Sequence, residues 1–107
     1  MKSLLIAGAA ALWTAAACPS FAADPDPTTI VIRGFMFTPV NITIKAGSKI
    51  TWTNQDQEPH TVASSDGLFR SGALDTDESF SFKFDKPGSY HYVCTIHPRM
   101  IGTITVE

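Results

Sequence analysis

Near its C-terminus the chain reads Cys94-Thr95-Ile96-His97-Pro98-Arg99-Met100, which sets a thiol, an imidazole and a thioether at three-residue steps. Upstream, Glu58-Pro59-His60-Thr61-Val62 supplies a second imidazole. Sulfur donors are soft and suit Cu(I), imidazole suits both copper oxidation states, and two His with one Cys and a weak axial Met is a copper electron-transfer geometry. His60, Cys94, His97 and Met100 are therefore the candidate metal donors, and one copper per chain, cycling between Cu(II) and Cu(I), is the metal they favour. Zinc could bind, but structural zinc prefers all-Cys or mixed Cys and His sets and catalytic zinc keeps a water position, neither with a thioether. A dinuclear copper centre would need a second cysteine in the loop, and positions 95–98 offer none.

The cysteine count bears on the same point. The chain holds two cysteines, Cys18 and Cys94, in 107 residues, a length that suits one domain. It opens Met1-Lys2, runs through apolar residues 4–17, and reaches Ser20 and Ala22 just before Asp24-Pro25-Asp26-Pro27. That layout predicts a secretory signal peptide over residues 1–22, a mature domain over residues 23–107, and a periplasmic location. A membrane span is not expected, since a spanning helix needs about 20 apolar residues and this run stops at Pro19. Ala15-Ala16-Ala17-Cys18 loosely resembles a lipobox, which leaves lipid anchoring at Cys18 as a second route. On either route Cys94 is the only cysteine inside the mature domain and no internal disulfide can form. A free thiol in an exported domain oxidises or pairs between chains unless something occupies it, the alternative being a buried, inert cysteine. A formal charge of −2 and no basic run give nucleic-acid binding no electrostatic support.

The segments that must hold these donors read as strands. Ile42 and Ile44 alternate with polar neighbours, Ala46-Gly47-Ser48 turns the chain, and Ile50, Trp52 and Asn54 continue on one face, the pattern of a hairpin. Phe80, Phe82 and Phe84 alternate with Ser79, Ser81, Lys83 and Asp85. After the turn at Lys86-Pro87-Gly88-Ser89, Tyr90, Tyr92 and Cys94 share a face, which leaves His91 on the other side as an exposed histidine rather than a ligand. Ile104 and Val106 close the chain in the same alternation, and residues 55–59 and 64–77 read as loops. The aromatic residues read as core, with Tyr90 or Tyr92 free to bond a loop backbone through its hydroxyl. Met36 is expected in core or edge packing, or outward near the metal end. The fold class is all-β, a two-sheet antiparallel or mixed Greek-key β-sandwich.

Gly88 to Met100 resembles the C-terminal copper loop of the plastocyanin and amicyanin cupredoxins, and is closest to the short amicyanin-like form. Phe35-Met36-Phe37-Thr38-Pro39, Lys45-Ala46-Gly47, Thr51-Trp52-Thr53-Asn54 and Pro59-His60-Thr61-Val62 follow in that family's order, so the resemblance spans essentially the whole mature chain. It implies His60, Cys94 and His97 as strong copper ligands and Met100 as the weak axial one. It also implies that Asn54 reaches across to Thr95 and ties the two ligand loops together, where a plain turn residue is the alternative. His97, at a loop tip, is the expected electron exit. Where relatives carry an aromatic between His-Pro and Met, this chain has Arg99, either a solvated charge or a cation that steers an acidic partner.

The function this implies is blue-copper electron transfer between larger redox proteins that dock near His97, carried out by a monomer that is not itself an enzyme. No Ser/His/Asp set, carboxylate pair or phosphate loop is present in the sequence. The alternative is a periplasmic copper carrier, which the presence of only Met36 and Met100 after the leader disfavours.

Overall fold

The computed structural model describes residues 28–107, so the expectations for residues 1–22 and for Cys18 lie outside the described residues. Eight strands run through the described chain: β1 Thr28–Arg33, β2 Met36–Thr38, β3 Asn41–Ile44, β4 Ser48–Asn54, β5 Ala63–Ser64, β6 Ser79–Phe84, β7 Gly88–Val93 and β8 Ile101–Val106. They form two four-stranded sheets ordered β2-β1-β4-β6 and β3-β8-β7-β5. Each sheet is mixed, because β1 runs parallel to β4 and β3 runs parallel to β8 while the other pairs are antiparallel.

Period-two alternation is what puts the core between the sheets. Ile30 and Ile32 of β1, Ile50 and Trp52 of β4, Tyr92 of β7 and Ile104 of β8 are all completely buried. Each buried aliphatic contributes about 1.5–3 kcal/mol of transfer free energy relative to exposure. Phe84 is buried and Phe80 and Phe82 pack half-buried against the same core, as the alternation of β6 predicts. On β7, Tyr90 is half-buried, Tyr92 and the following Cys94 are fully buried, and His91 is exposed. The Tyr90 hydroxyl donates to the Lys86 carbonyl at 2.6 Å, which pins the turn before β7.

The expected hairpin between residues 41–45 and 48–54 does not form. The tight turn is present, with Ser48 N–H donating to Lys45 O at 3.0 Å and Gly47 at φ 94°, a left-handed conformation that glycine adopts freely. It carries the chain from one sheet into the other: β3 pairs with β8, and β4 pairs with β1 and β6. Alternation reports which face of a strand is buried, and that requirement is met equally by a partner next in sequence or by one far away.

Gly102 shows how closely the core is fitted. It sits opposite Tyr92 in the β7–β8 register, and a Cβ added there would fall 2.3 Å from Tyr92 Cζ. The tyrosine ring therefore packs directly on the glycine backbone, a close approach that accounts for glycine in a strand interior. Burial pushes the Tyr92 phenol up to about 12, with the Trp52 side chain pulling weakly the other way.

Candidate metal centre

The spacing of the C-terminal donors is written in the backbone of the loop between β7 and β8. His97 N–H donates to Cys94 O at 3.2 Å and Met100 N–H donates to His97 O at 2.9 Å, two successive four-residue turns that share His97. Cys94 N–H then donates to Met100 O at 3.0 Å and closes the loop at its base. Three-residue steps in sequence thus become three consecutive turn corners. Cys94 and Met100 are buried at the base of the loop, and His97 is half-buried at its tip.

His60 arrives from the long crossing between β4 and β5. A two-way backbone bridge with Leu74, at 3.1 and 2.7 Å, fixes its main chain, and the residue is completely buried. Its Nδ1 stands 3.8 Å from Cys94 Sγ. Donors that share one ion, with metal–sulfur and metal–imidazole bonds of about 2.3 and 2.0 Å, stand about 3.5–3.7 Å apart at trigonal or tetrahedral angles. The His60–Cys94 pair therefore fits a shared metal. The His97 ring lies edge-on to His60 with centroids 5.2 Å apart. The set is adjacent rather than closed, since no three His, Cys, Asp or Glu side chains among the described residues already converge on one point. His91 is not part of it: its Nδ1 meets Thr103 Oγ1 at 3.1 Å on the exposed side of the sheet.

The sulfur is held by Thr61. Thr61 N–H donates to Cys94 Sγ at 3.3 Å, and the Thr61 hydroxyl lies 3.7 Å from the same atom. The hydroxyl oxygen also accepts the Thr95 amide at 2.7 Å and meets Thr95 Oγ1 at 2.8 Å. Burial pushes the Cys94 thiol up, but the Thr61 amide, the His60 side chain and the His97 and Ile96 amides together outweigh it and bring the thiol below its ordinary range. That favours the thiolate, the form that binds metal.

This corrects the expected role of Asn54. Its amide donates to Glu58 O and Leu74 O, both at 2.8 Å, and its Oδ1 accepts the Asp56 amide at 2.9 Å, so it braces the His60 loop and does not reach Thr95. The tie between the ligand loops comes from Thr61 instead. Asn54 is completely buried, and the carbonyls of Glu58 in the adjoining loop and of Leu74, the strand-bridge partner of His60, satisfy both donors of its amide.

Two further residues at this end escaped the sequence reading. Phe35 has φ 58°, a left-handed conformation that costs an L-residue about 1–2 kcal/mol, and its ring is edge-on to both His60 and His97 at 5.1 and 4.8 Å. Asp56 lies with Oδ2 at 2.8 Å from His60 Nε2. Burial pushes its carboxyl up, and hydrogen bonds from the Phe35 and Gly34 amides and from His60 more than offset that, leaving it below the ordinary carboxylate range. Nothing in the local pattern at Gln55-Asp56-Gln57 distinguishes this aspartate from a solvated loop charge. Met36, at the edge-strand end of the first sheet, is 54% exposed, the outward of its two expected placements.

Comparison with known proteins agrees with this geometry. A family model described as a cupredoxin-like domain matches residues 4–106. The chain belongs to the cupredoxin-like family. Among curated cupredoxins it is 34% identical to amicyanin-alpha of Methylorubrum extorquens, over the full length of both chains. It is also 39% identical to plastocyanin of Scenedesmus fuscus, over 67% of this chain and 87% of that one. Among solved structures, amicyanin from Paracoccus versutus superposes with a TM-score of 0.72 at 33% identity, covering 79% of this chain and 85% of that one. A purple cupredoxin from Nitrosopumilus maritimus gives 0.71 at 33% identity, covering 76% of this chain and all of that one. Copper is the cofactor that the donor set of this cupredoxin fits.

The Thr61 tie is open to a direct test. Thr61→Val removes the hydroxyl oxygen that accepts the Thr95 amide, and a part-buried amide left without a partner costs about 1–3 kcal/mol. The urea midpoint of the copper-free chain is expected to fall accordingly, while Thr61→Ser, which keeps the hydroxyl, stays near the parent. Equal midpoints for Thr61→Val and the parent would show that the tie contributes nothing.

Proposed function

We propose that this cupredoxin is an exported blue-copper carrier that passes one electron at a time between redox proteins, with His60, Cys94 and His97 as strong ligands and Met100 as the weak axial one. The observation that carries this reading is the 3.8 Å approach of His60 Nδ1 to a Cys94 sulfur held towards the thiolate, both residues completely buried. When bound, copper supplies two oxidation states one electron apart. His60, Cys94, His97 and Met100 would hold the copper with four protein donors and no position for a substrate, which favours electron transfer over turnover. The reading places the domain of residues 23–107 in the periplasm after removal of residues 1–22, supported by the leader pattern of the sequence.

His97 is the exit on this reading, because the surface around it is built for contact. An open concavity of about 420 Å³ is lined by Phe35, Ile96, His97, Pro98, Arg99 and Met100. A second concavity beside it adds Met36, Val40 and Ile101. Five of the six exposed large apolar side chains of the described residues lie here, Leu68 being the other. Such a cluster marks an interaction face rather than scattered surface residues. Arg99 borders both concavities and makes no ion pair or hydrogen bond among the described residues, so its charge is free to meet an acidic group on the partner.

Two measurements check this. The protein exported from the full-length gene is expected to begin at residue 23 and, with one equivalent of Cu(II), to show an intense band at roughly 600 nm from copper–thiolate charge transfer. The band should bleach reversibly with reductant and be absent in Cys94→Ser. No band, or copper lost on reduction, would favour copper delivery instead. With an acidic redox partner, Arg99→Glu is expected to slow second-order electron transfer by about an order of magnitude at low salt and to weaken its salt dependence. Unchanged rates at every ionic strength would make Arg99 a bystander.

A further inference from the structure

Three of the four candidate donors are closed to direct attack from solvent. His60 and Cys94 are completely buried and Met100 is 4% exposed, which leaves half-buried His97 as the one member of the set at the surface. Cu(I) travels bound to soft donors and moves by exchange, each incoming donor bonding before an outgoing one leaves. The first protein donor must therefore be exposed, and it must adjoin the next.

Met36 meets both conditions. β2 buries Phe37 and turns Met36 outward, leaving it 54% exposed. It lines an open concavity of about 150 Å³ whose wall includes Met100. The adjoining concavity shares Phe35, Arg99 and Met100 with the first and adds His97. Two thioether residues and an imidazole residue thus border neighbouring depressions at the end of the molecule where His60 Nδ1 and Cys94 Sγ approach each other.

The surrounding charges select among ions. Arg33 is the register partner of Met36, and Arg99 borders both concavities. A guanidinium repels a divalent ion twice as strongly as a monovalent one at the same distance. A thioether is a neutral, polarisable sulfur that suits Cu(I) rather than harder divalent ions. No carboxylate lines either concavity to reverse that preference.

We propose that Met36 is an entry ligand for copper: it takes Cu(I) from an external donor and passes it by way of Met100 and His97 to Cys94 and His60. This differs from an apolar docking role, which leucine would fill equally well. No electron moves in the exchange. The ion stays Cu(I), the external donor leaves with its own electron pair, and Cys94 releases its thiol proton to solvent as its sulfur binds. The destination rests on the copper reading above, and capture at Met36 does not.

Met36→Leu keeps size and apolarity while removing the sulfur. The copper-free protein is mixed anaerobically with the coloured Cu(I)–bicinchoninate complex, and loss of that colour gives the rate of uptake. Met36→Leu is expected to slow Cu(I) uptake about tenfold, while Cu(II) uptake, read from the copper–thiolate band, and the electron-transfer rate of the loaded protein stay at the parent values. Ag(I), a monovalent soft ion, gives an independent readout. In copper-free Cys94→Ser, added Ag(I) should shift the Met36 methyl resonance. Equal Cu(I) rates in Met36→Leu and the parent, or a Met36 methyl that ignores Ag(I), would overturn the proposal. If the parent takes up neither form of copper, the copper reading fails by itself, and the response of the Met36 methyl to Ag(I) still decides whether this thioether captures a soft ion.

Discussion

The contact on which the rest of the structure depends is the one between Thr61 and the Cys94 loop. The segment that crosses from β4 in the first sheet to β5 in the second carries His60 and Thr61 side by side. Thr61 closes on Cys94 Sγ through its amide and on Thr95 through its hydroxyl. One residue therefore sets where the sulfur lies relative to the adjacent imidazole. The sandwich makes this possible, because the two sheets deliver the crossing and the β7–β8 loop to the same end of the core. A buried sulfur with amide donors on it is also a better thiolate than a free thiol in water. Position and electronic character come from the same hydrogen bonds.

How much of this the sequence discloses depends on whether the information is local. Alternation in residues 80–84 and 90–94 foretells which side chains are buried, since a strand with one covered face must repeat every two residues. The Cys94, His97 and Met100 spacing is legible for a related reason: each three-residue step is one backbone turn, closed within the loop itself. Strand partners are not local. The pairing of β1 with β4 and of β3 with β8 is parallel and joins distant segments, so residues 41–54 resemble a hairpin although their strands belong to different sheets.

The same divide separates the site residues that were legible from those that were not. His60 stands out because an imidazole amid β-patterning has few roles, whereas Asp56 among Gln55 and Gln57 looks like any polar loop position. Its contacts are to the turn at Gly34 and Phe35, which lie 22 and 21 residues away in sequence. Of the two roles open to Asn54, the tie to Thr95 is not made: its amide joins the His60 loop to Leu74, and Thr61 supplies the bridge between the ligand loops. Hydrogen bonds of this kind depend on which donor and acceptor are nearest after folding, and sequence order does not fix that.

A centre built in this way should change little when its metal changes charge, because hydrogen bonds of the protein itself hold the Cys94 sulfur and the His60 main chain. Low rearrangement and an apolar face around His97 are together what rapid electron transfer requires. The most direct test is electron self-exchange, followed by proton NMR as the Cu(I) protein is oxidised in steps. Resonances of residues around His97 should broaden in proportion to the Cu(II) protein added, the mark of an electron hopping rapidly between molecules. Two sharp, separate sets of resonances that persist side by side would mean that the centre rearranges too much, or is too deeply enclosed, to act as an electron carrier.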